Sequence, residues 1–188
     1  MQFNHDNMTG PALAADLVTL VGRGWDDERA TSVLTRHHIR RIDLDADASH
    51  RLAAWSARLR PVFATHGVDA RCAAINALLT EGTAQPYLTA HDGLRPHLHF
   101  AAEDDDVVAR VAAVTAGGLA LFAVEAGGKR LGMCARSGCT VAFVDTSRNG
   151  LRSYCSTTCG NYVAVRRHRD AETITRTHSR RRSLPGTL

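Results

Sequence analysis

Apolar residues recur at helical spacing through most of the first two thirds of the chain. Leu13, Leu17, Leu20 and Val21 share one face of a helix over residues 11–22, with Thr9 as candidate cap, Pro11 near its first turn, and Gly22 and Gly24 ending it. Asp26 or Asp27 starts a second helix carrying Ala30, Val33 and Leu34. A third, over residues 48–65, keeps the rhythm through Leu52, Ala53, Trp55, Ser56, Leu59 and Phe63. Pro61 within it predicts a kink or an earlier end. Residues 70–79 make a fourth, in which Cys72, beside Ala73, Ala74 and Ile75, reads as a small apolar filler.

The rhythm breaks over residues 85–100. Pro86, Asp92-Gly93 and Pro96 punctuate two short alternating runs, Tyr87 to Ala90 and His97 to Phe100, which predicts a hairpin. Alternation puts His97 and His99 on one face of a strand, with His91 nearby. Two imidazoles so arranged are candidates for binding a metal or a small anionic ligand; an ordinary polar strand face explains the same pattern. Acidic residues 103–106 then mark a helix start, because they complement its positive end, and a long apolar stretch follows over residues 107–126. Gly117 and Gly118 inside it predict a close helix crossing. Gly127 and Gly128 end it, putting a boundary near residues 128–132.

The last third is organised by cysteine. Cys134 with Cys139 and Cys155 with Cys159 form two close pairs, the pattern of a structural zinc site that ties two chain segments together. Four soft sulfurs suit zinc or an iron–sulfur cluster and exclude calcium and magnesium. Disulfides are the other reading, and they belong to exported proteins. The opening MQFNHDNMTG has no basic start, apolar core or cleavage site, so a cytoplasmic protein with metal-bound thiolates is expected. A fully cysteinyl site leaves no open coordination position, which makes the Zn2+ structural and not catalytic.

Ser137-Gly138 permits the tight turn between the first two sulfurs. Val141, Phe143 and the stretch from Arg152 to Tyr154 look like two short strands joined through Asn149-Gly150, a hairpin signal. Ser156 is a plausible N-cap for a helix that carries the second cysteine pair at its start. Knuckle, hairpin and helix together describe a treble-clef-like finger. The fold class expected is therefore mainly α with a small β-hairpin (α+β): a helical N-terminal domain at 1–128, then the finger and a C-terminal basic helix at 129–188.

These residues resemble the CGNR zinc fingers, a family usually found behind an ABATE domain in bacterial proteins. The resemblance rests on Cys134 and Cys139, on VDTSRNG at 144–150, on Tyr154 before Cys155, and on CGN at 159–161. The sequence departs from the family where Tyr162 stands in place of the name-giving arginine. A weaker resemblance to ABATE covers residues 10–128. Together they imply a stress-induced transcription regulator.

Charge sharpens that picture. Residues 129–188 hold 12 Lys or Arg against 3 Asp or Glu, a net charge of +9, while residues 1–128 hold 11 against 16, a net −5. A finger so charged is drawn to a polyanion, and Arg148, Arg152, Arg166, Arg167, Arg169 and Arg176 are the candidate phosphate contacts. Low aromatic content argues against single-strand stacking and leaves duplex DNA as the expected partner. The body is expected to sense a small-molecule effector or to form a homodimer. A protein-interaction adaptor, or a small-ligand-binding protein with a purely structural finger, is the alternative. No nucleophile elbow, phosphate loop, zinc-protease motif or dinucleotide fingerprint occurs, so no catalytic residue is assigned and no enzyme is expected. No apolar run is expected to reach the ~20 residues of a membrane span.

Overall fold

The computed structural model describes residues 5–84, 86–89, 97–102 and 104–182, apart from the side chains of residues 5–7, 89, 97, 99 and 171–182. Its elements run α1 (His5–Arg23), α2 (Asp27–Arg36), α3 (Ala46–Ala64), α4 (Val68–Gly82), β1 (Tyr87–Thr89), β2 (His97–His99), α5 (Val107–Glu125), β3 (Leu131–Met133), β4 (Ala142–Val144) and α6 (Thr157–Arg182). The class is the expected one, mostly helical with small antiparallel hairpins.

Three helices begin where an aspartate caps them. Asp26 accepts from the Arg29 N–H, Asp45 from Ala48 and Asp106 from Ala109, each at 2.8 Å. The acidic run before α5 is thus a helix start, as expected. Helix α1 differs from expectation: it begins at His5, so Thr9 is an interior residue and not a cap, and Pro11 lies well inside. Helix α3 likewise runs through Pro61 to Ala64, and the Thr65 N–H closes its last turn on the Pro61 carbonyl at 3.1 Å. Packing of their apolar faces outweighs one lost backbone hydrogen bond in each.

Helix α5 lies against α1, α3 and α4, and its Val111, Ala116, Leu119 and Phe122 are fully buried in one core with Leu13, Leu17, Leu52 and Leu59. By length and composition α5 is apolar enough to cross a membrane, with a mean hydropathy of 2.0, which corrects the expectation that no such stretch exists. Its burial among α1, α3 and α4 identifies it as a core helix. Gly118 is where it crosses α1: a Cβ there would sit 2.6 Å from the Cα of Gly10, so the two backbones touch without side chains between them. The close crossing expected from Gly117-Gly118 is present.

Helix α4 buries Arg71, Ile75, Leu78 and Gly82, which puts Cys72 on its exposed side. The core-filler role expected of Cys72 is therefore wrong by about one helical position. Arg71 takes the inward place. Its Nε donates to the Val62 carbonyl at 2.9 Å, Nη1 to Gly128 at 2.5 Å, and Nη2 to Thr65 at 2.6 Å and Leu131 at 3.1 Å. The ends of α3 and α5 and the strand leading to the cysteines all meet at this one guanidinium.

The hairpin β1–β2 pairs Tyr87 with His99 and Thr89 with His97, as expected for this stretch. The second hairpin departs from expectation, because β4 pairs with β3 before the cysteine knuckle and not with residues 152–154. Leu131 and Ala142 of this hairpin belong to the same core as the helices.

We expect Gly118→Ala to lower stability by about 1–3 kcal/mol, the usual cost of forcing a methyl into a filled contact. Urea unfolding of the variant checks it; an unchanged midpoint would mean that α1 and α5 do not cross here.

Candidate metal centre

Cys134 follows β3 directly and Cys139 closes the turn after it; of the second pair Cys159 lies in the first turn of α6, whereas Cys155 stands before the helix cap and not on the helix as expected. Gly138 occupies the left-handed region at φ +76°, the tight turn that the sequence predicts between the first two sulfurs. The Cys134 N–H donates to the Val141 carbonyl at 2.9 Å and the Ala135 N–H to Ser153 at 2.9 Å, so the knuckle is stitched on both sides. Ser156 caps α6 as expected, its Oγ accepting from the Cys159 N–H at 3.2 Å.

All four sulfurs lie within 4.8 Å of one another. Cys139 and Cys155 are 3.9 Å apart and Cys155 and Cys159 3.6 Å. A tetrahedron with Zn–S bonds of about 2.3 Å requires sulfurs about 3.8 Å apart, whereas a disulfide requires about 2.05 Å. The sulfurs are therefore free thiols spaced for one zinc ion, and the disulfide reading falls. Cys134 and Cys159 are buried, as a closed structural site demands.

Two of the sulfurs, those of Cys134 and Cys155, are shifted in opposite directions. Burial works against the Cys134 thiolate, but N–H donors from Cys155 and Arg136 and neighbouring thiols bring this thiol down to about 7. Burial and its thiol neighbours push Cys155 up to about 12. The opposite shifts of Cys134 and Cys155 show neighbouring sulfurs competing for negative charge, a repulsion that a divalent ion would offset.

Sequence reasoning missed a second organiser, Asp145. It is 2% exposed. Its Oδ1 accepts from the Ser147 N–H at 2.9 Å and hydroxyl at 2.5 Å, and its Oδ2 from the Arg152 N–H at 2.9 Å. Arg130 closes the same loop by donating to the carbonyls of Asp145 and Ser147 at 3.1 and 2.7 Å. Gly150, at φ +64°, lets the backbone lie against that guanidinium. Burial alone would raise the carboxyl's pKa, yet these donors and the Arg130 charge hold it below the usual carboxylate range. The signal in the sequence was the Asp-x-Ser spacing of a turn.

The candidate phosphate contacts are placed unequally. Arg148 is exposed on the 145–150 turn. Arg152 is exposed but folds back on the finger: its Nε donates to the Tyr154 carbonyl at 2.8 Å, Nη2 donates to the Cys155 carbonyl, and its guanidinium lies 5.1 Å above the Phe143 ring. Arg166, Arg167 and Arg169 are exposed on α6. The Arg176 side chain lies outside the described residues, as do those of His97 and His99, whose backbones form β2. His91 is outside them altogether. Helical periodicity sets positions 162, 166, 169, 176 and 180 along one face of α6. At the head of that face the Arg136 guanidinium stacks 5.2 Å above the Tyr162 ring, so the position where arginine was expected carries an arginine borrowed from the knuckle.

Residues 130–171 match the family model of the CGNR zinc finger, and no curated protein matches the chain. The match spans every element of the centre, from Arg130 to the exposed part of α6.

Two outcomes follow from this geometry. Each bound sulfur must lose its proton, so zinc affinity should fall more steeply than about tenfold per pH unit on acidification from about pH 8. Competition with a chromophoric chelator measures it, and a flat profile would exclude thiolate ligands. Asp145→Asn should destabilise the zinc-loaded protein by about 2 kcal/mol, the worth of hydrogen bonds to a charged acceptor. Because the folded pKa is depressed, the wild-type advantage should be full above about pH 4 and shrink as pH falls through the folded value. Denaturant unfolding of both proteins at several pH values tests the sign.

Proposed function

We propose that the chain is a zinc-containing, duplex-DNA-binding transcription regulator of the bacterial cytoplasm, without enzymatic activity. Its ABATE-like body senses a small effector or joins a second copy. Reduced thiols and a closed four-sulfur site fit that compartment and leave no coordination position for catalysis.

The observation that carries the reading is the exposure of α6 over residues 161–170. From Asn161 to Asp170 every position except the half-buried Val163 is exposed. Helices in proteins owe most of their stability to packing, so a helix bare on nearly all sides has a surface suited to a partner. The exposed side chains include Arg166, Arg167 and Arg169, and Arg136 on Tyr162 extends the charged face back to the knuckle. At 26 residues the helix is about 39 Å long, and its width suits the major groove, about 12 Å across. Arg152 contributes less than its sequence position suggested, since its donors hold the backbone at the second cysteine pair.

A protein-docking role draws on a different feature, the exposure of Leu151 at 76% and Val165 at 51%. Capture of a protein partner that survives nuclease treatment would favour it.

For DNA, fluorescence anisotropy with a labelled duplex should give affinity that falls steeply with salt. Arg166→Ala with Arg169→Ala should weaken binding at least about tenfold and flatten the slope of log affinity on log salt by about 2. Binding absent at low salt, or indifferent to salt, would overturn the reading.

A further inference from the structure

The helical body contains a cavity of about 780 Å3, within the span of about 300–1,000 Å3 common to small-molecule sites. It opens between the link after α2, strand β1 and the first half of α5. Ile39, Val114 and Tyr87 line it together with His38, Arg40, Arg41 and Arg110, and Asp104 is the acidic residue of the lining. Four bases against one acid contradict the composition of residues 1–128, whose net charge is −5.

The turn that carries three of those bases is built to a fixed shape. His38 and Arg41 hold φ at +58° and +51°, a region that residues other than glycine seldom enter. Arg110 pins the turn from α5: its Nη2 donates to the carbonyls of Arg40 and Arg41 at 3.0 and 2.9 Å, and Nη1 to that of Asp105. Its Nε is buried and has no hydrogen-bond partner among the described residues. The guanidinium groups of Arg40 and Arg41 make no ion pair among the described residues. Backbone strain thus coincides with a concave wall that is apolar on one side and cationic on the other.

We propose that this cavity binds a small organic oxyanion, its carboxylate or phosphate held by Arg40 and Arg41 and its apolar body laid against Ile39, Val114 and Tyr87. Both parts of the ligand are required. A bare phosphate leaves the apolar wall uncovered, and a neutral hydrocarbon gives Arg40 and Arg41 no counter-charge. The site stands whether or not the finger meets DNA, because its test reads no DNA.

The zinc-loaded, full-length protein is titrated with 8-anilinonaphthalene-1-sulfonate and, separately, with N-phenyl-1-naphthylamine, which has the same rings without the charge. The sulfonate should bind at least tenfold tighter. Arg40→Glu with Arg41→Glu, both exposed positions, should weaken the sulfonate at least tenfold without moving the thermal midpoint, and Val114→Phe should abolish binding by filling the space. Displacement by benzoate or by phenyl phosphate identifies the preferred head group. Equal affinity for the two dyes, sulfonate binding untouched by the charge reversal, or displacement by neither competitor would overturn the proposal. Should Val114→Phe fail to fold, the charge-reversed protein still decides.

Discussion

A single buried guanidinium holds the two halves of this chain in register. Arg71 reaches the carbonyls of Val62 and Thr65 at the end of α3, Gly128 just past α5, and Leu131 in β3. Each of these partners is a carbonyl, and those at helix ends carry the negative pole of the helix dipole, which offsets part of the cost of burying the charge. Lysine could not substitute, because its three donors radiate from one point, whereas arginine's planar fork spans separate chain segments. The orientation of β3, and so of Cys134 one residue beyond it, is inherited from this contact. The finger is therefore braced on the body, and its hairpin contributes Leu131 and Ala142 to the common core.

Beyond that hairpin there is little apolar material with which to hold a shape. Among the described residues, Phe143, Cys134 and Cys159 are the buried apolar residues of the finger past residue 133, apart from Ala142. Two polar centres compensate: the thiol cluster joins the knuckle to α6, and the Asp145 carboxylate joins both ends of the 145–152 loop. A small domain lacking core area needs such cross-links. Arg152 works on the same task from outside, folded over Phe143 and the carbonyls beside Cys155. In a finger with so many arginines, some are structural, and charge counting cannot separate these from the ones left facing solvent.

That limit explains what the sequence disclosed and what it withheld. Metal ligation was legible because thiolate chemistry is local: two short spacings define the donor set without reference to the rest of the fold. Helices were legible from their apolar period, and the acidic caps from the positive helix end. Misreadings arose where a residue's usual environment differs from its actual one. Arg71 looks like a surface residue, so the inward face of α4 was assigned to its neighbour Cys72. Asn149-Gly150 carries a strong hairpin signal, yet Asp145 bends the following backbone back onto itself, and the partner of β4 is the three-residue strand Leu131-Gly132-Met133, too short and too glycine-bearing to announce itself. Thr9 and Pro11 resemble a helix start, but a proline well inside α1 forfeits one hydrogen bond in a helix whose burial supplies far more.

The cavity in the body was illegible for a different reason. Its walls come from three segments far apart in sequence, and its bases are hidden inside a half whose net charge has the opposite sign. The same side chain, arginine, is thus used in two geometries with different consequences. Along α6 Arg166, Arg167 and Arg169 stand exposed on a convex helix, where each would add an independent and salt-screened attraction for a long repeating anion. In the body Arg40 and Arg41, themselves exposed, line a concave wall beside Ile39 and Val114, where the volume of the cleft would limit the size of an anion that they could hold. Curvature, more than charge, separates a surface for a polymer from a site for a small molecule.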